Sequence, residues 1–317
     1  MKLVLISPKG PLYRHRGGIF KKNLRYAPLT LTTLAALVPP DISTGIRIVD
    51  EGIEDIDLNL EADLIGMTVI TGNSVRAYAL ADHFRSRGIP VVLGGPHITL
   101  IPDDAQPHAD AIVVGYAEDT WPELLRDFVA GRLKPRYVQA PGLSLANRPF
   151  PRREMVKKHS YLTTHVFEAT RACVHSCDFC VVPFAWGIKP YQKPVEDVAA
   201  DIKHHWARKI IFIDLNLIAD KAYAAKLFEA LIPLKVEWFG LSTTLLGRDK
   251  PLLELAARSG CTGLLMGFES ITPENLKQSK KGFNSPDEYH DLVALLHCYG
   301  ITLMACFTFG MDNDTPD

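Results

Sequence analysis

Cysteine is scarce in this chain, with six in 317 residues and none in the first 160. So few thiols exclude a disulfide framework as the source of stability, and no two separated cysteine pairs are present to make ordinary zinc knuckles. An excess of one charge is also lacking. With 35 Lys and Arg against 36 Asp and Glu, the formal net charge is −1, which gives no electrostatic case for nucleic acid or an anionic membrane. Long apolar runs are missing too. The opening Met1-Lys-Leu-Val-Leu-Ile-Ser-Pro8 is too short for a secretory leader, and no stretch reaches the ~20 apolar residues of a spanning helix. These absences predict a protein of the reducing cytoplasm with no nucleic-acid partner and no transmembrane segment. What is plentiful is ordinary globular material, 47% hydrophobic and 22% charged, enough for about two domains on the usual length prior.

Up to about residue 131 short apolar strands alternate with amphipathic helices. Strands are predicted at 2–6, 45–49, 64–70, 90–93 and 111–114, and helices at 29–37, 75–87 and 120–129. That alternation predicts an α/β domain, a doubly wound, Rossmann-like parallel sheet over residues 1–140, with ligands at the carboxyl ends of its strands. Glycines mark those ends: Gly94 and Gly95 after the fourth strand, Gly115 after the fifth, and Gly10, Gly17 and Gly18 after the first. Glycine there permits positive φ or close approach to a ligand, though it is also common turn chemistry. Prolines and charge make 141–160 a linker. Alternation then resumes, with strands at 163–168, 209–213, 236–242, 263–268 and 302–309, and predicts a partial (β/α) barrel over 161–317. Cys261, Cys298 and Cys306 sit singly in apolar segments and are expected as reduced core residues.

The chemistry-bearing run is Phe167-Glu-Ala-Thr-Arg-Ala-Cys-Val-His-Ser-Cys-Asp-Phe-Cys180, with Cys173, Cys177 and Cys180 on one loop after a strand. Three thiolates so spaced suit three corners of a four-iron cluster whose fourth iron stays open for a substrate. Zinc with His165 or His175 as a fourth ligand is the alternative.

This run, including the aromatic Phe179 before its last cysteine, resembles the cluster loop of the radical S-adenosylmethionine (SAM) enzymes. Val91-Val-Leu-Gly-Gly-Pro-His97, Ala109-Asp-Ala-Ile-Val-Val-Gly115, Glu118, Arg25-Tyr-Ala-Pro-Leu-Thr-Leu-Thr-Thr-Leu-Ala35 and Ile48-Val-Asp-Glu51 resemble the cobalamin-binding domain that precedes many of them. The resemblance implies that Cys173, Cys177 and Cys180 are the catalytic metal ligands of a 4Fe-4S cluster whose open iron chelates SAM. It implies that the Thr68 to Thr71 loop, Gly94, Gly95 and Gly115 line the nucleotide tail of cobalamin. Asp214 and Asn216, then Glu269 and Ser270, match strand ends that approach SAM. Leu215 stands where a second acid is often found, Gln192 where an arginine is, and Ala172 where glycine is usual, the last a small change. The Asp-x-His-x-x-Gly signature of a histidine ligand to cobalt is absent. Tyr13-Arg-His15-Arg-Gly-Gly18 lacks its aspartate, so cobalamin without a histidine on cobalt is expected.

By the same resemblance the function is a cobalamin-dependent radical SAM C-methyltransferase acting on an unactivated carbon of a lipid, pigment or secondary metabolite. One SAM would methylate cobalamin and a second would yield a deoxyadenosyl radical that abstracts hydrogen, after which the substrate radical takes the methyl group from methylcobalamin. A flavodoxin or ferredoxin would donate the electron. Oxidative cyclisation on the same architecture is the alternative, and a cobalamin-binding sensor the non-enzymatic one, although a sensor has no use for the cysteine triad. A methylthiotransferase would need further cluster cysteines before residue 160. Radical SAM domains typically carry six βα units, and five strands are counted here before Gly310-Met-Asp-Asn-Asp-Thr-Pro-Asp317, so a chain truncated at its C-terminus is expected.

Overall fold

The computed structural model describes residues 1–10 and 26–315. The chain divides into two compact units, Met1–Thr164 and His165–Asp317.

In the first unit β1 (Lys2–Ser7), β2 (Gly45–Asp50), β3 (Leu64–Thr68), β4 (Val91–Gly94), β5 (Ala111–Val114) and β6 (Arg136–Val138) form one sheet in the order β2-β1-β3-β4-β5-β6. Every pairing is parallel. Alternation along β1 explains the layering: Leu3 and Leu5 face one core, Val4 and Ile6 the other. The first core is closed by α1 (Leu29–Ala36) and α5 (Thr120–Val129), through Leu31, Ala35, Trp121, Leu124 and Leu125. The second is closed by α2 (Ser74–Ser86), through Ala77, Leu80, Ala81 and Phe84. Between these lie two short helices, α3 (Pro96–Leu100) and α4 (Pro102–Ala105). Trp121 needs its space from the strand it covers, since a Cβ on Gly66 would lie 3.1 Å from the indole.

The doubly wound sheet matches the expectation, with one strand more. β6 was missed because three residues bounded by Pro135 give too short an apolar signal. Within the segment expected as a linker, Leu145, Arg153 and Val156 are buried, and just past it Tyr161 Oη donates to Asp50 Oδ2 at 3.1 Å.

In the second unit β7 (Val166–Phe167), β10 (Lys209–Phe212), β11 (Glu237–Ser242), β12 (Cys261–Glu269) and β13 (Thr302–Phe307) make a parallel sheet in the order β13-β12-β11-β10-β7. A two-stranded antiparallel ribbon, β8 (Thr170–Arg171) with β9 (Tyr191–Gln192), brackets the cysteine loop and α6 (Val182–Trp186). The sheet is covered by α7 (Val195–His204), α8 (Lys221–Leu231), α9 (Lys250–Arg258) and α11 (Tyr289–Cys298), with α10 (Pro273–Gln278) following β12. One core joins Phe212, Leu227, Phe228, Trp238, Leu253 and Leu264, each a side chain whose burial contributes about 1.5–3 kcal/mol.

Of the three single cysteines only Cys261 is buried. Cys298 is exposed and Cys306 intermediate, because the end of α11 and the edge strand β13 have no element over them among the described residues.

Candidate functional site

In the first unit the strand order reverses between β1 and β3, where an open α/β sheet leaves a crevice for ligands. The loops meeting there are drawn together by backbone contacts. Val69 N donates to Gly94 O at 2.8 Å and His97 N to Val69 O at 3.1 Å. Gly95 is required for this approach: its φ is +108°, and a Cβ would lie 2.7 Å from Val69 O. Thr68 Oγ1 borders the same spot at 3.2 Å from that Cβ position. Gly115 also has positive φ, and its N–H donates to Thr99 Oγ1 at 3.0 Å.

Thr71 lies exposed on the crevice rim, and its hydroxyl is 3.2 Å from His97 Nδ1. His97 is itself buried, with Nε2 3.1 Å from Tyr78 Oη, which donates to Asp104 Oδ2 at 3.0 Å. A second brace holds the loop after β1. Buried Glu51 accepts from Lys9 N at 2.9 Å and from the Arg76 guanidinium. The Thr71 hydroxyl, the bare Gly95 backbone and the exposed Ile70 and Val75 fit the mixed polar and apolar tail of cobalamin. Tyr13, His15, Gly17 and Gly18 lie outside the described residues.

In the second unit the cysteine loop starts at the carboxyl end of β7. Its root is held from two sides. Asp214, just past β10 and wholly buried, accepts from Ala169 N at 3.1 Å and from Thr170 N. Tyr223 Oη donates to Lys193 O at 2.7 Å and lies 3.3 Å from Ala169 O. Burial, reinforced by the Glu168 carboxylate, pushes the Asp214 carboxyl up to about 7. Glu168 pairs with Arg171 at 2.7 Å and Lys193 at 3.5 Å. Ala172, next to Cys173, is buried with φ +70°, a left-handed conformation that explains why glycine suits this position and why alanine is no small change.

Cys177 is buried, and Cys173 and Cys180 are partly exposed. Cys180 N donates to Cys177 O at 3.0 Å, closing the turn between them. Among the described residues no three His, Cys, Asp or Glu side chains converge on a point where one metal ion could sit. Three thiols on one loop suit a cluster with a separate iron for each.

The loop rests on the segment after α10. Asp178 N donates to Ser279 O at 3.2 Å, and Asp178 pairs with Lys280. His175 stacks on Phe283 with centroids 4.5 Å apart, and Lys281 Nζ sits 5.9 Å from the Phe179 ring centroid. Lys281 also pairs with Glu269 at 2.6 Å. Glu269 ends β12 in a left-handed conformation, φ +65°, at a register shift against β13. The bulge turns its side chain onto Lys281, with Thr308 Oγ1 3.2 Å away. Burial pushes the Cys177 thiol up, Lys281 pulls it back, and the neighbouring thiols and Glu269 push it further up. Ser270 Oγ accepts from Thr272 N at 3.0 Å, a turn contact before α10.

The structure thus gathers Thr68, Thr71, Gly94, Gly95 and Gly115 at one sheet edge of the first unit. In the second it gathers Cys173, Cys177 and Cys180 with Glu269. Asp214 and Asn216 are engaged elsewhere: the first roots the cysteine loop, and the second bonds Ile218 N at 3.3 Å within its own turn. Gln192 Nε2 donates to Asp220 Oδ2 at 3.0 Å. Sequence reading missed His97 as a partner of Thr71, and the whole 279–284 segment. Lys281 has no local signal, and only Gly267, whose Cβ would collide with the Lys281–Glu269 pair, hints at it.

A doubly wound sheet with a glycine-lined carboxyl edge, and a three-cysteine loop rooted on a second parallel sheet, define a radical SAM protein carrying a cobalamin-type domain. Residues 31–125 match the B12 binding domain and residues 167–317 the Radical SAM superfamily. Relatives include the bacteriochlorophyllide d C-8(2)-methyltransferase of Chlorobaculum tepidum, 33% identical over 90% of this chain and 67% of the relative. The C-12(1)-methyltransferase of the same organism is 31% identical over 80% of this chain and 58% of the relative. The hopanoid C-2 methylase of Rhodopseudomonas palustris is 26% identical over 92% and 57%. The chain therefore spans between about half and two thirds of these relatives. The fold is that of the radical SAM methyltransferase TsrM from Kitasatospora setae, solved with cobalamin and a 4Fe-4S cluster bound. Its TM-score is 0.77 at 19% identity, over 99% of this chain and 70% of that one. The chain belongs to the cobalamin-dependent radical SAM family, whose cofactors are a 4Fe-4S cluster, SAM and cobalamin.

Proposed function

We propose that this protein is a C-methyltransferase that places a methyl group on an unactivated carbon of a pigment, lipid or secondary metabolite. The observation that carries this reading is three thiols on one loop, rooted at the carboxyl end of a parallel sheet, in the same chain as a B12 binding domain. The names of the pigment and hopanoid relatives supply the direction, methyl transfer to carbon. When bound, cobalamin supplies a methyl carrier, and the cluster with SAM supplies a radical able to take hydrogen from carbon.

The chain's own residues bind and orient. Cys173, Cys177 and Cys180 would each hold one iron. Asp214 and Tyr223 keep the root of their loop fixed, so that the thiols are presented without further ordering. Gly94, Gly95, Gly115 and the Thr68–Thr71 loop would take the nucleotide tail of cobalamin, with His97 orienting the Thr71 hydroxyl. Glu269 and Ser270 stand at the carboxyl end of β12, where SAM is expected. An electron from a flavodoxin or ferredoxin in a reducing cytoplasm completes the reading. No helix among the described residues is long and apolar enough to cross a membrane.

The test is anaerobic reconstitution with iron, sulfide and cobalamin, followed by incubation with a reductant (dithionite or a reduced flavodoxin), methyl-labelled SAM and a bacteriochlorophyllide or hopanoid acceptor. Iron–sulfur and cobalamin absorbance together with a labelled carbon product are expected. Cobalamin uptake without iron would favour a sensor, and an unlabelled cyclised product would favour oxidative cyclisation.

A further inference from the structure

The Lys281–Glu269 pair stands out because the fold makes three separate arrangements to hold it. Glu269 adopts a left-handed backbone at a β-bulge, a conformation that costs a non-glycine residue about 1–3 kcal/mol. Gly267 leaves the space the pair fills: a Cβ there would lie 2.1 Å from Glu269 Oε1 and 2.5 Å from Lys281 Nζ. Lys281 also donates to Gly267 O at 3.2 Å, and Asn284 donates to the same carbonyl at 3.0 Å. Both charges are nearly enclosed, with side-chain exposures of 12% and 11%. A surface pair would contribute little and need none of this. This one lies beside the cysteine loop, with the ammonium near the Phe179 ring and the Ser279–Asp178 bond fixing loop and segment together.

We propose that the Lys281–Glu269 pair keeps two opposite charges in balance beside the cluster held by Cys173, Cys177 and Cys180, so that neither charge alone shifts its reduction potential. This rests on the reading of those cysteines as cluster ligands. Reduction adds one electron, and so one negative charge, to the cluster without making or breaking a bond. A nearby cation stabilises the reduced form and a nearby anion opposes it. Held as a pair, Lys281 and Glu269 nearly cancel, and the low effective dielectric of an enclosed site makes the loss of either one felt. Lys281 and Glu269 are thereby positioning residues for charge.

The experiment is a mediated dithionite titration of the anaerobically reconstituted full chain without SAM, followed by the electron paramagnetic resonance of the reduced cluster. Lys281→Met leaves Glu269 uncompensated and should lower the midpoint potential. Glu269→Gln leaves Lys281 uncompensated and should raise it. The double variant and Lys281→Arg should return close to the parent. A merely structural role would not produce shifts of opposite sign that cancel. Equal potentials in all variants, or shifts in the same direction, overturn the proposal. If Lys281→Met takes up no iron, a raised potential in Glu269→Gln with an unchanged one in Lys281→Arg decides it. A parent chain that takes up no iron would instead overturn the cluster reading, and this inference with it.

Discussion

Replacing Asp214 by alanine should free the root of the cysteine loop. The carboxylate accepts from the backbone N–H groups of Ala169 and Thr170, both buried. Each donor left without an acceptor costs about 1–3 kcal/mol, so the loss amounts to roughly 2–6 kcal/mol. The charge itself works in the other direction. Burial and Glu168 raise the carboxyl from its ordinary 3.8 to about 7, which corresponds to roughly 4 kcal/mol of disfavoured ionisation. Because the folded value lies above the unfolded one, the fold binds the extra proton between about pH 4 and 7. The parent's stability therefore declines as pH rises through that window. The penalty is nearly full at pH ~8 and about a third as large at pH ~5. Asp214→Ala should accordingly cost more at pH ~5 than at pH ~8, by about 2–3 kcal/mol. Urea unfolding of the metal-free, reduced chain, followed by circular dichroism at the two pH values, measures this, and iron uptake on reconstitution should fall in parallel. A loss below about 1 kcal/mol at both pH values, with normal iron uptake, would refute the anchoring role. An equal loss at both would refute the buried charge.

Alanine at Cys173, Cys177 or Cys180 should abolish the broad visible charge-transfer absorbance of the reconstituted protein, while Cys298→Ala should retain it, measured by absorption and iron content. Gly95→Ala should destabilise the first unit by more than about 1 kcal/mol and reduce cobalamin retained after desalting, since its φ is +108° and the new Cβ meets Val69 O at 2.7 Å. In the other direction, Ala172→Gly should relieve a left-handed alanine and hold or raise the thermal midpoint, a change worth about 1 kcal/mol before the entropy of glycine in the unfolded chain. Under native conditions iodoacetamide should modify Cys298 readily and leave Cys261 untouched until unfolding, because burial pushes the Cys261 thiol up to about 12. Peptide mass spectrometry distinguishes the two.

Most of both sheets was legible in the sequence because parallel strands are buried on both faces and read as short apolar runs. Ala111–Val114 and Thr120–Val129 begin and end where the pattern places them. The predicted strand at 163–168 shrinks to Val166–Phe167: Thr163 bridges to Tyr26 instead, and past the strand the N–H groups of Ala169 and Thr170 go to Asp214 and not to a ladder. The ribbon of Thr170–Arg171 with Tyr191–Gln192 gave no signal, being two residues a side.

By itself the sequence determined the alternation of strands and helices, the three thiols on one loop and the glycines at the strand ends. Each of these is a local property, fixed by residue type and spacing. Only the tertiary structure decided which of the acids Asp214 and Glu269 meets the backbone and which meets a cation. It also decided that Lys281, twelve residues after Glu269, reaches the cysteine loop. Such pairings depend on strand order, on a bulge in β12 and on the turn after α10, which bring together groups with no periodic relation along the chain.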